Sequence, residues 1–170
     1  MLDSWEDGNF EKKSAEAPIN IFQSKKIKYS LGGVGNLSVN LKSLKINHTL
    51  LTDIGKDTIG NKIIKHLKKE KIKFIASRSK NISTSKERFY YKDKQIFRRD
   101  REDSSENFNG YKKIINSINK YDFVAISDYK KGLINRNIIN KLYKKKCKIF
   151  VDPKNSPITF KNVFLIKPNM

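Results

Sequence analysis

The sequence predicts an α/β fold in which a mostly parallel sheet is flanked by helices and a smaller sheet stands off it. Three observations predict it. Short apolar runs of strand length alternate with segments of helical periodicity, the pattern of βαβ units. A glycine turn, Gly32-Gly33-Val34-Gly35-Asn36, opens one of those helices. Clusters of aspartate and lysine follow the later apolar runs, at the strand ends where an open parallel sheet binds its ligands.

Val34, Leu37, Leu41 and Leu44 recur at spacings of three and four. A helix therefore starts on the glycine turn and turns backbone N–H groups toward a polar ligand. His48–Ile54 is short and apolar enough for a buried strand. Gly55-Lys56-Asp57-Thr58-Ile59-Gly60 then supplies a turn with an N-cap at Asp57, and the next helix sets Ile59, Ile63, Ile64 and Leu67 on one face. Ile72–Ala76 is the following strand. After the loop-like stretch Asp103–Gly110, Tyr111, Ile114, Ile115 and Ile118 mark a helix and Phe123–Ser127 a strand. Ile138, Ile139 and Leu142 mark another helix, and Lys148–Val151 another strand. Asn162–Ile166 closes the series after a loop holding Pro157. Two stretches break the rhythm. Pro18–Leu31 and Ser85–Arg99 alternate polar with apolar residues, the second folding back at Lys92-Asp93-Lys94. They predict a β-flap over about residues 15–31 and 84–100, within one domain spanning 1–170.

Composition narrows the function classes. Apolar residues make up 37% of the chain, and their clustering in periodic blocks argues against disorder throughout. The net charge of +20 invites a nucleic-acid reading, but lysine carries the excess and arginine stands only at 78, 88, 98, 99, 101 and 136. Lysines such as Lys65, Lys68, Lys69 and Lys144 to Lys146 fall on polar helix faces. They read as solvated surface with salt-sensitive adhesion to anions, and no specific nucleic-acid partner is expected. Cys147 sits in an apolar run and reads as a small buried hydrophobe. An acidic N-terminus, no run of transmembrane length and no disulfide framework lead to a cytoplasmic expectation without a membrane partner.

The chemistry on offer is that of phosphate and hydroxyl recognition. Asp53 with Asp57, Asp128 to Lys131, Asp152 to Lys154, and Asn169 all follow expected strands. Aspartate there binds sugar hydroxyls or hydrated Mg²⁺, and lysine neutralises phosphate. Arg98-Arg99-Asp100-Arg101-Glu102 offers either a bidentate arginine for a phosphate or an exposed ion-pair ladder. No P-loop, dinucleotide fingerprint, nucleophile elbow or metal-ligand cluster occurs, and His48 and His66 stand isolated.

In order, Met1-Leu2-Asp3 with Gly8, Glu16-Ala17-Pro18, Gly32-Gly33 with Asn36, Asn40-Leu41, and Gly55, Asp57 and Gly60 resemble a PfkB/ribokinase-like carbohydrate kinase, most closely the heptose 7-phosphate kinases. The resemblance continues through Ser85-Lys86 with Arg88, Gln95 with Arg98, Asp100 and Glu102, Asp128-Tyr129 with Lys131-Gly132, Val151-Asp152-Pro153-Lys154, and Pro168-Asn169. It implies a ribokinase-like fold and transfer of the ATP γ-phosphoryl, with Mg²⁺, to the anomeric hydroxyl of heptose 7-phosphate. The product, heptose 1,7-bisphosphate, would lie on the route to ADP-heptose for lipopolysaccharide. Asp3, Gly32, Gly33 and Asn36 would hold sugar hydroxyls. Lys86, Arg88, Arg98 and Asp100 would close over the sugar phosphate. Asp128, Lys131, Asp152 and Lys154 would line the cleft near the phosphates, and Asn169 would begin the nucleotide region. Leu31 stands where the family has proline and Val34-Gly35 where it has a small pair, neither altering the backbone argument. The family's Gly-Ala-Gly-Asp loop, which carries the general base, is absent from these residues, so no catalytic or metal-binding residue is assigned. The resemblance thus implies an N-terminal half truncated at both ends, inactive alone. It would pair with a complementary C-terminal half, or with a second copy through the flap. The alternative is a non-catalytic sugar-phosphate-binding remnant or one subunit of a split kinase.

Overall fold

The computed structural model describes residues 1–103, 115, 116, 118, 120–129, 131, 133–145, 147–154 and 160–167. The stretch 104–110, Tyr111 and Ile114 of the expected helix, Lys130, Gly132, Pro157, Pro168 and Asn169 lie outside the described residues. The element order is β1 Leu2–Lys13, β2 Asn20–Leu31, α1 Val34–Ser43, β3 Leu50–Gly55, α2 Thr58–Lys69 and β4 Phe74–Ser79. It continues through β5 Ser85–Tyr91, β6 Lys94–Arg101, β7 Phe123–Asp128, α3 Arg136–Tyr143, β8 Lys148–Pro153 and β9 Leu165–Ile166.

Parallel pairing joins β3 to β4, and β7 to β8 to β9, with the alternation of strand and helix expected of βαβ units. A separate four-stranded sheet runs β2-β1-β5-β6. Its hairpins are antiparallel, while β1 lies parallel to β5. The turn between β5 and β6 places Lys92 and Asp93 at φ 46° and 61°, the left-handed pair that a two-residue hairpin needs. β1 is the element that periodicity did not reveal. It starts at Leu2 and pairs with both Leu31 and Ser85. Its sequence, Leu2-Asp3-Ser4-Trp5-Glu6-Asp7, mixes polar residues onto both faces, and its partners lie far off in the chain.

Helix boundaries follow local chemistry. Asp57 caps α2 as expected, and its Oδ1 accepts the Gly60 N–H at 2.6 Å. Both α1 and α2 end in the same reciprocal carbonyl-capping motif. In α2, Lys71 takes φ 51°, its N–H donates to the Lys68 carbonyl, and the Ile72 N–H donates to the Leu67 carbonyl at 3.0 Å. Ile72 is therefore part of the helix cap, and strand β4 begins at Phe74 instead. In α1, Lys45 plays the same role, which leaves Leu44 past the last turn and 71% exposed rather than on the buried stripe. The last strand also shortens to Leu165–Ile166, because Asn162 at φ 56° cannot lie in a strand.

Two apolar clusters hold the layers together. Leu2, Leu31, Leu50, Ile54, Ile63, Leu67 and Ile72 unite the four-stranded sheet, β3 and α2. Ile115, Ile118, Ile126, Ile138, Ile139, Leu142, Ile149, Val151 and Phe160 form the other around β7, β8 and α3. Cys147 packs against this second cluster, and burial pushes its thiol pKa up. No described helix is long and apolar enough to cross a membrane.

Candidate functional site

The carboxyl ends of β3, β7 and β8 converge with the glycine turn on a cleft of about 140 Å³. Gly32 and Gly33 form one wall. Thr52, Asp53 and Gly55 come from the end of β3, and Asn81 to Thr84 from the loop before β5. Lys86 reaches in from β5, Asp128 from the end of β7, Lys131 from beyond it, and Lys154 from beyond β8. The arrangement follows from parallel pairing, which brings successive strand ends to the same edge.

The glycine turn is required by its surroundings. Gly33 caps α1 at φ 56°, ψ −131°, a backbone conformation essentially reserved for glycine. A Cβ on Gly32 would collide with the carboxylate of Asp3. That carboxylate is half of a sheltered pair, with Arg88 Nη1 donating to Asp3 Oδ1 at 3.2 Å and side-chain exposures of 21% and 15%. The Arg88 guanidinium also lies over the Trp5 ring.

A charged ladder rises from the cleft along β5 and β6. Lys86 Nζ donates to Asp100 Oδ2 at 3.0 Å, and Arg98 grips the same carboxylate through Nε and Nη2 at 2.7 and 2.6 Å. Glu87 receives Arg99, and Glu102 receives Lys131 across the cleft mouth. The Arg98 bond first and then Lys86 hold the Asp100 carboxyl far below the usual carboxylate range. Lys131 likewise lowers Glu102. For Asp57, burial pushes the pKa up, but the N–H donors of Ser83 and Gly60 together outweigh it and leave it lowered.

A carboxylate with a lowered folded pKa stabilises the fold fully above about pH 4, its ordinary range, and loses that contribution as pH falls through the lowered value. Burial lowers the His66 and N-terminal pKa values, so urea midpoints should already decline from neutrality toward about pH 5, and they should fall further below about pH 4, with Asp57→Asn removing part of that second fall. A midpoint that rises on acidification would contradict these pairings.

Of the residues singled out in the sequence, Gly32, Gly33, Lys86, Asp128, Lys131 and Lys154 line the cleft. Asp3, Arg88, Arg98 and Asp100 adjoin it through the ion pairs above. Asn36 and Asp152 do not line it. Asn36 is exposed on α1, whose buried positions are Gly35 and Ser38, and Asp152 alternates outward between buried Val151 and Pro153. Sequence reasoning missed the loop Asn81–Thr84, which has no periodicity, and Met1, which is held just before β1. It noted Asp53 without assigning it. Asp53 lines the cleft, and its Oδ1 is buried with no hydrogen-bond partner among the described residues.

Comparison with known proteins agrees with the α/β fold. Residues 9–168 match the profile described as pfkB family carbohydrate kinase. The chain is similar to the bifunctional protein HldE of Aliarcobacter butzleri, 33% identical with 99% of this chain and 38% of that protein covered. The HldE protein of a Nitratiruptor species is 29% identical with the same coverage. The chain thus spans about two fifths of the length of these relatives. Among solved structures, the tetrameric inhibited form of Escherichia coli phosphofructokinase-2 superposes with a TM-score of 0.76 at 15% identity, covering 98% of this chain and 57% of that one. The same enzyme with substrates and products gives 0.74 at 15% identity and the same coverage.

Proposed function

Because the chain belongs to the pfkB family of carbohydrate kinases, we propose that its cleft is the sugar-phosphate-binding part of an ATP-dependent sugar kinase acting on heptose 7-phosphate. One observation carries the reading: the glycine turn, with Asp3 pressed against it, faces three lysines across a single cleft. Backbone N–H groups and carboxylates suit sugar hydroxyls, and fixed ammonium groups suit phosphates.

In this reading Asp3 and the Gly32-Gly33 turn orient the sugar hydroxyls, with Asn36 nearby on α1. Lys86, Arg88 and Arg98 meet the 7-phosphate, and Asp100 keeps Lys86 and Arg98 aligned until the substrate arrives. Asp128, Lys131 and Lys154 lie toward the ATP phosphates, with Asp152 and Asn169 behind them. The donor set fits phosphate better than a bare cation. Among the described residues no three His, Cys, Asp or Glu side chains gather to hold a metal ion. Mg²⁺ would arrive complexed with the nucleotide, and no step is assigned to it. In the transfer, the bond from γ-phosphorus to the bridging oxygen of ADP breaks and a bond to the anomeric oxygen forms. The proton of the anomeric hydroxyl passes to a base that these residues do not supply, since no Gly-Ala-Gly-Asp run occurs among them. Phosphoryl transfer depends on positioning and charge stabilisation, so this half binds without turning over. The exposed rings of Phe10 and Phe97 on the four-stranded sheet offer the face for a second copy, and cytoplasmic ATP supplies the donor.

Calorimetry of the 170-residue chain with heptose 7-phosphate should give saturable binding without ATP. Incubation with ATP, Mg²⁺ and heptose 7-phosphate should yield no bisphosphate. Absence of sugar-phosphate binding would refute the reading, and turnover by these residues alone would refute the assignment of the base elsewhere.

A further inference from the structure

We infer that Asp57 is a positioning residue for this cleft, tying the N-terminus of α2 to the loop at 81–84 and, through that loop, to the turn at Gly32. The inference rests on the sugar-phosphate reading for the identity of the ligand, but its geometry stands independently.

Capping a helix needs one acceptor, which serine, threonine or asparagine supplies as well as aspartate. Asp57 uses two. Its Oδ1 accepts the Gly60 N–H of its own helix at 2.6 Å, and its Oδ2 accepts the Ser83 N–H from the loop before β5, also at 2.6 Å. Two acceptors aimed at separate segments require a carboxylate. Ser83 is held from its other side as well, its Oγ accepting the Gly55 N–H at 3.0 Å. Glycine is needed around this junction, because a Cβ on Gly55 would strike the Asn81 carbonyl and one on Gly60 the Gly55 carbonyl.

The bonded chain continues into the cleft. The Leu2 N–H donates to the Thr84 carbonyl at 3.0 Å, and the Gly32 N–H donates to the Met1 carbonyl at 3.0 Å. The side chain of Asp3 then packs against Gly32. Met1, Gly32, Ser83 and Thr84 all line the cleft, whereas Asp57 does not. Asp57 therefore acts on the ligand through the backbone it aligns, without touching it.

The test uses the ¹⁵N-labelled chain, with Asp57→Ser to keep the helix cap and remove the loop bond. The Ser83 amide proton, shifted downfield by its short bond to the carboxylate, should move upfield. Amide exchange at Ser83, Leu2 and Gly32 should accelerate about tenfold, as expected for loss of one charge-assisted bond, while β7 and β8 keep their protection. Heptose 7-phosphate affinity should fall about tenfold, with a thermal midpoint well above that of Asp57→Ala. Asp57→Asn, which keeps the shape and one acceptor, decides the same question if Asp57→Ser does not fold. Unchanged exchange at Leu2 and Gly32, or acceleration spread equally into β7 and β8, would overturn the inference. This coupling in Asp57→Ser, together with a wild-type chain that ignores heptose 7-phosphate, would support the positioning network and refute the ligand.

Discussion

Gly32→Ala is expected to weaken heptose 7-phosphate binding about a hundredfold, the equivalent of losing two charge-assisted hydrogen bonds. The new methyl group would occupy the space of the Asp3 carboxylate, with Met1 Cε a further neighbour at 3.1 Å. A carboxylate at the end of a free side chain would simply rotate aside. Asp3 is instead sheltered and bound to Arg88, so rotation breaks that pair and moves both groups from their places beside the cleft. Folding should suffer less than binding, because overpacking relieved by one side chain costs only about 1–3 kcal/mol. A double-mutant cycle isolates the cause. In an Asp3→Ala background the collision is gone, so Gly32→Ala should add almost nothing. Equal losses in both backgrounds would show that the glycine matters for some other reason.

Leu67→Ala should give the largest loss of stability, about 3 kcal/mol within the usual range of roughly 2–5 for such truncations. Leu67 is completely buried, and its neighbours in the cluster come from β1, β2, β3 and α2. Leu2 and Leu31 belong to that cluster, so the cavity should loosen the root of the four-stranded sheet as well as α2. Amide exchange would accelerate first in β3, β4 and the start of β1. The separate cluster around Ile126, Ile138 and Val151 should retain more of its protection. A urea midpoint equal to wild type would mean that the site collapses to fill the void.

These two expectations rest on contacts of very different reach along the chain. Where a contact is local, the residues announce it. Asp57 precedes an apolar periodic run and caps it, and the Lys92-Asp93 turn sits between two alternating segments and joins them. The strand ends bearing Asp128 and Lys154 could be placed at one edge because parallel strands with helical crossovers must all point the same way. Where a contact is distant, the residues were silent. The neighbours of Asp3 show only an acidic N-terminus, its sugar-binding role was implied by the family resemblance alone, and its pairing depends on Arg88 and Gly32 arriving beside it. Arg98 looked equally suited to a phosphate or to a neighbouring carboxylate, and the fold pairs it with Asp100.

The chain's own sequence therefore determined the succession of strands and helices after β1, the glycine turn and the stock of carboxylates and ammonium groups, since each depends on neighbours a few positions away. Only the tertiary structure decided that β1 lies between β2 and β5, and that Ser83 meets the second oxygen of Asp57. Those choices are made by backbone N–H and C=O groups, which nearly every residue carries alike. A side-chain pattern cannot encode which of them will meet until the packing of Leu2, Leu31 and Leu67 brings them together.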